Sequence, residues 1–236
     1  NSCIIYQRWC MKVKVVTPSM AIKKTRVKLS RRVVQDLKEV SKLSSVKQWE
    51  YAGNVKYMGK GLFSKPSKVT SEKRNRVDTD DITKVWYSEI SYHTHPGIGY
   101  NEDVTCQSTP IFATLPSNAD FEAYIKGFPE MQVNIICDSH GYYVIDILQS
   151  TYDFAVPLPA SINMYMRTLR STPFMRICAF SDDGLEYFHT TTKNWKRQIN
   201  ENVNKDLMKL YGVSIMYYTY EEEPPEITLY QGIDVA

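Results

Sequence analysis

No stretch of this sequence is apolar over enough consecutive residues to span a bilayer. No secretory hydrophobic region with a small-residue cleavage site stands at its start. The expected location is therefore intracellular: cytoplasm or nucleus, or a virion if the source is viral. No CxxC pair occurs, and the five cysteines (Cys3, Cys10, Cys106, Cys137 and Cys178) are scattered and odd in number. That distribution argues against a disulfide framework and a Cys-rich structural zinc, and for a reducing compartment. Acidic residues are missing from positions 8–32, which hold nine Lys and Arg. Residues 1–28 read as a basic N-terminal extension, either a solvated tail or an arm that contacts a polyanion in a salt-dependent way. Deleting it is expected to leave the fold intact. No internal repeat is visible.

What remains is ordinary for a globular chain. The 236 residues are 43% hydrophobic and 23% charged, enough for one large domain over residues 29–236. Ser30 is placed to cap a helix over 31–44, where Val33, Val34, Leu37 and Val40 recur at helical spacing. "QWEYAGNVKYMG" and "ITKVWYSEISYHTH" read as strands, with a polar connection over 60–81 between them. "SNADFEAYIKGF" reads as a short helix, and "MQVNIICD" and "GYYVIDIL" as strands of a hairpin. "DGLEYFH", "VSIMYYTY" and "EITLY" are further strand candidates. Residues 193–211 form the clearest helix, with Trp195, Ile199, Val203, Leu207 and Leu210 on one face. Residues 149–175 carry no clear pattern. Helices and strands mix without strict alternation, so the predicted class is α/β or α+β around one central mixed sheet. Residues 97–115 lack periodicity and read as a long loop.

Half of the four histidines lie in "HTHP", residues 93–96. In a strand, side chains at i and i+2 share a face. His93 and His95 therefore present two imidazoles side by side, a natural edge for Zn²⁺, whose catalytic sites keep three protein ligands and one open position. Downstream, "PSNAD" offers Ser117 and Asp120 on the first turn of a helix, where both can face one point. Each part also has a plain reading. An HxH pair alone is weak evidence for a metal. S-x-x-D before an apolar run is the pattern of a helix capping box. Glu50, alone, is a solvated strand residue.

Taken in order, "EYAG" (Glu50 to Gly53), "HTHP" (His93 to Pro96) and "PSNAD" (Pro116 to Asp120) resemble the JAMM signature of the JAB/MPN metalloprotease family. The resemblance covers roughly residues 30–148 and implies a single MPN-like domain with a curved sheet and helices packed around it. It implies that His93, His95 and Asp120 hold Zn²⁺, that Glu50 is the general base, and that Ser117 donates a hydrogen bond to the oxyanion. The implied reaction is hydrolysis of a peptide or isopeptide bond without a covalent intermediate, with ubiquitin-like conjugates as the substrate class. The family also contains non-catalytic scaffolds. The competing reading is therefore an assembly protein of a large complex or viral particle.

One departure concerns spacing. The family places its Ser much nearer the second His, whereas Ser117 lies 22 residues after His95. Without a gap, the Ser position would fall on Asp103 and the ligand position on Cys106, itself a possible zinc ligand. The helix start in "LPSNADFEAYI" favours Ser117 and Asp120, with residues 97–115 as an inserted loop. Glu89, on the same strand face as the histidines, is a rival base.

Overall fold

The computed structural model describes residues 14–17, 23–82, 88–97, 110–146, 155–156, 177–180, 186–211, 213–231 and 234–235. It is a mixed α and β fold. β1 (Lys14–Thr17) and β2 (Lys23–Lys28) precede α1 (Arg31–Lys47). β3 (Ala52–Val55), β4 (Tyr57–Gly59), β5 (Leu62–Phe63) and the single turn α2 (Thr79–Ile82) follow, then β6 (Ile90–Thr94). Next come β7 (Pro110–Ala113), α3 (Asn118–Gly127), β8 (Val133–Cys137) and β9 (Gly141–Asp146). β10 (Ala155–Val156), β11 (Ile177–Phe180) and β12 (Glu186–Thr191) lead into the helical run α4. That run comprises Thr192–Arg197, a π-helical stretch Gln198–Val203, and Asn204–Tyr211. β13 (Ser214–Thr219), β14 (Glu226–Gln231) and β15 (Asp234–Val235) come last.

The central sheet has the order β13-β9-β8-β6-β3, antiparallel except for the parallel pair β6–β8. Both faces are covered. Val133, Ile135, Cys137, Tyr142 and Val144 pack with Val33, Val34 and Leu37 of α1. Ile136, Tyr143, Ile145, Ile215 and Tyr217 pack on the other side with Phe121 and Tyr124 of α3 and Trp195 and Ile199 of α4. Burial on both faces explains why "VNIIC" and "GYYVID" run as continuous apolar segments instead of alternating. A parallel pair needs a crossover, and α3 lies in the one that joins β6 to β8. The first turn of α3 sits over the end of β6, with Asp120 Oδ1 3.1 Å from His93 Nε2.

α1 starts where predicted, with Ser30 Oγ accepting from Val33 N at 3.2 Å. It runs three residues past the predicted end at 44. Its buried stripe continues through Ser41, Ser44 and Ser45 rather than through apolar residues. These serines let the helix approach closely and bond to its neighbours: Ser41 Oγ donates to Asp138 O at 2.6 Å, and Ser45 meets Ser139 at 2.9 Å. Full burial of Leu37 contributes about 1.5–3 kcal/mol. In α4, Asn200 and Asn204 bond to the backbone of Tyr217 and Ile215 and so cap the outer edge of β13.

Two boundaries differ from the sequence reading. The basic extension does not reach residue 28. Lys23–Lys28 pairs in register with Glu226–Gln231, and Val27 is buried against Ile227 and Leu229. Lys28 and Arg31 also form ion pairs with Glu223. In a strand the cations point outward, which a count of charges does not reveal. Removing residues 1–28 should therefore strip β14 of its partner. Losing the buried Val27 alone costs about 1.5–3 kcal/mol, and at about 2–4 °C per kcal/mol a thermal midpoint fall of at least about 3 °C is expected. An unchanged midpoint would contradict this assignment.

The second correction is the loop over 97–115. Its last part, Pro110–Ala113, is a strand paired antiparallel with Thr191–Phe188. Ile111 and Ala113 are buried while Phe112 is exposed, the alternation expected of a one-sided strand. Pro110 takes the first strand position, where a missing N–H is tolerated. Residues 98–109, with Cys106, lie outside the described residues, as do residues 1–13 and 18–22 of the N-terminal extension and most of 149–175. Among the described residues, no helix is long and apolar enough to cross a membrane.

Candidate metal centre

In β6, Ile90, Tyr92 and Thr94 are buried, while Ser91 and His93 on the alternate face are partly open and look towards the α3 side. His95 follows on the same face, just past the strand, with its N–H donating to Cys137 O at 2.8 Å. β3 pairs with β6 with Ala52 opposite His93. The same register sets Glu50 opposite His95, and Thr94 N donates to Tyr51 O at 2.9 Å between them. The backbone of Glu50 is anchored twice: its N–H donates to Lys73 O at 2.7 Å, and its carbonyl accepts from Thr70 Oγ1 at 2.7 Å. Gly53, three residues on, has no room for a side chain. A Cβ there would lie 1.9 Å from Ser67 O and 2.7 Å from the Tyr92 ring.

Asp120 arrives on the first turn of α3. The capping box is fully formed: Asp120 N donates to Ser117 Oγ at 3.2 Å, and Ser117 N donates to Asp120 Oδ2 at 2.5 Å. The helix cap is formed, and the capped carboxylate still faces the two histidines. His93 Nε2 and His95 Nε2 lie 3.2 Å apart. Asp120 Oδ1 is 3.1 Å from His93 Nε2, and Oδ2 is 3.3 Å from His95 Nε2. Among the described residues, these three form the one His/Cys/Asp/Glu group compact enough to hold a metal ion.

The residue types fit a zinc site: imidazole nitrogen and carboxylate oxygen are ligands that zinc takes, and one donor atom from each of the three residues lies within 4.8 Å of the others. Two imidazoles and one carboxylate leave a fourth position for water or substrate, as in catalytic sites. Thr114, which the sequence reading missed, stands behind the cluster: its Oγ1 is 3.0 Å from His95 Nδ1. A partner on Nδ1 leaves Nε2 to face the cluster, the usual outer arrangement around a ligating histidine. No spacing rule would have singled out Thr114, which precedes Ser117 in an unpatterned segment.

Glu50, His93, His95, Ser117 and Asp120 all line one cleft of about 250 Å³. Its far wall is Arg74–Val77, from the segment that read as a plain connection. Burial raises the Glu50 carboxyl to about 8; His95 offsets part of that rise and Asp120 adds to it. Burial opposes ionisation of Asp120 as well, yet His93 and His95 beside it hold its carboxyl well below the usual carboxylate range. Glu89 is engaged elsewhere, accepting from Tyr57 N at 3.1 Å and from Ser88 Oγ at 3.4 Å, and does not line the cleft. Comparison of the chain with family models, curated proteins and solved structures returned no match.

Proposed function

We propose that this chain is a zinc metallopeptidase of the JAMM type, acting on a peptide or isopeptide bond, with ubiquitin-like conjugates as its substrate class. The observation that carries the reading is the convergence of Glu50, His93, His95, Ser117 and Asp120, drawn from three separate chain segments, on one cleft. His93, His95 and Asp120 are the residues that would hold zinc. When bound, zinc supplies a Lewis acid that polarises a carbonyl and lowers the pKa of water towards about 7.

The chain's own groups do the rest. The Glu50 carboxylate takes a proton from the attacking water and returns it to the leaving amine nitrogen. Ser117 Oγ accepts from Asp120 N. Its own O–H proton takes no part in that bond and is available to the oxyanion that develops on the scissile carbonyl. The partly buried Asp120 carboxylate, held by the cap, keeps the two imidazoles converged.

Cleavage of ubiquitin-like conjugates by the wild-type chain should be abolished by a chelator and restored by zinc. Ser117→Ala should keep the metal and lower the rate about 10²–10³-fold, the range for one lost oxyanion donor. It should also cost about 1 kcal/mol of stability, because the α3 cap is lost. Zinc-bearing wild-type protein that cleaves no conjugate would favour the scaffold reading.

A further inference from the structure

Two buried tyrosine hydroxyls bond to Thr114 and Pro96, the neighbours of His95 in space and in the chain. On one side, Trp195 Nε1 donates to Tyr143 Oη at 2.7 Å, Tyr143 donates to Thr114 O at 2.6 Å, and Thr114 Oγ1 meets His95 Nδ1 at 3.0 Å. On the other side, Arg74 Nη2 donates to Tyr187 Oη at 3.0 Å, and Tyr187 donates to Pro96 O at 2.7 Å. The direction of each relay follows from chemistry. Indole and guanidinium nitrogens only donate and carbonyl oxygens only accept, so each tyrosine must accept from the first and donate to the second. Tyr143 and Tyr187 are both fully buried, with Trp195 at 2% and Thr114 at 3% exposure, so water cannot replace these bonds without rearrangement.

Tyr143 reaches in from β9 of the central sheet, whereas Thr114, Tyr187 and Trp195 belong to the β7–β12 ladder and the elements that adjoin it. β12 pairs with β7 with Phe188 opposite Ala113, and the same register sets Tyr187 opposite Thr114. β12 then runs directly into the first turn of α4, which carries Trp195. The ladder thus grips two consecutive residues, His95 by its ring and Pro96 by its carbonyl.

We infer that Tyr143 and Tyr187 are positioning residues for His95: through Thr114 and Pro96 they hold its ring with Nδ1 against Thr114 Oγ1 and Nε2 turned into the cluster. The consequence for zinc rests on the reading proposed above; the placement of the ring does not. The β7–β12 ladder and the start of α4 are therefore part of the centre, although the family resemblance ends near residue 148.

The test has two readouts. In the metal-free protein, ¹⁵N-resolved NMR of the imidazoles should show His95 Nδ1 hydrogen-bonded to Thr114. Thr114→Ser should retain that state and Thr114→Val should lose it. In zinc titrations against a competing chelator, Tyr143→Phe and Tyr187→Phe should each weaken binding about 10-fold, the lower end of the range for outer partners of a metal ligand. The double variant should lose less than the product of the two, since both act through His95. The cobalt-substituted variants should show shifted absorption bands. A His95 Nδ1 resonance that is the same in Thr114→Val as in wild type would overturn the inference. So would tyrosine variants that lose thermal stability while keeping wild-type zinc affinity and cobalt spectrum, since that pattern marks a purely structural role. If wild-type protein takes up no zinc, the metal reading fails, and the Nδ1 result in the Thr114 variants alone supports or overturns the positioning of His95.

Discussion

Glu50→Gln is expected to lower kcat/KM for conjugate cleavage by about 10²–10⁴, the usual cost of losing a positioned acid/base group, while leaving zinc content unchanged. The reasoning is geometric first. The β3–β6 register sets Glu50 opposite His95, and its side chain lines the same cleft as the three ligand candidates without being one of them. Glutamine has nearly the same shape but cannot take a proton from water and return it to an amine. The fold should tolerate the change, because the bonds that seat this residue, to Lys73 O and from Thr70 Oγ1, are made by its backbone. The measurement is steady-state cleavage by wild type and variant matched for zinc. A variant as fast as wild type would remove Glu50 from the chemistry and reopen the choice of base.

The elements that could be read from the sequence were those whose pattern is local. The Ser30 cap, the apolar stripe of α1, the β8–β9 hairpin and the long helix ending at Tyr211 all follow from periodicity and capping chemistry. The ligand candidates were legible for the same reason. An i, i+2 pair on a strand and a first-turn S-x-x-D each carry their geometry in their spacing, and the cluster of His93, His95 and Asp120 forms as that spacing implies. What was not legible depends on partners distant in the chain. Lys23–Lys28 looks like a free basic arm until Glu226–Gln231 pairs with it. Pro110–Ala113 is too short to declare its alternation until β12 lies beside it. Thr114, Tyr143 and Tyr187 act through hydrogen bonds that no spacing rule encodes. The serines of α1 broke an apolar stripe on paper, but in the fold they continue it.

Zinc per chain, measured by elemental analysis after purification and dialysis, bears most directly on the account. Asp120→Ala should abolish stoichiometric zinc, since it removes the carboxylate that lies 3.1 Å from His93 Nε2 and 3.3 Å from His95 Nε2. It also breaks the capping box, at a cost of about 1 kcal/mol, so a circular-dichroism check of α3 separates loss of metal from loss of fold. Cys106→Ser should keep the metal; the opposite pair of results would return the third ligand to Cys106. The double change His93→Ala with His95→Ala removes two of three donors and should leave none of the metal behind. The account predicts one zinc per wild-type chain and none in the double-histidine variant. Wild-type protein without zinc after exposure to it, or a double variant that still carries one per chain, would contradict the account at its centre.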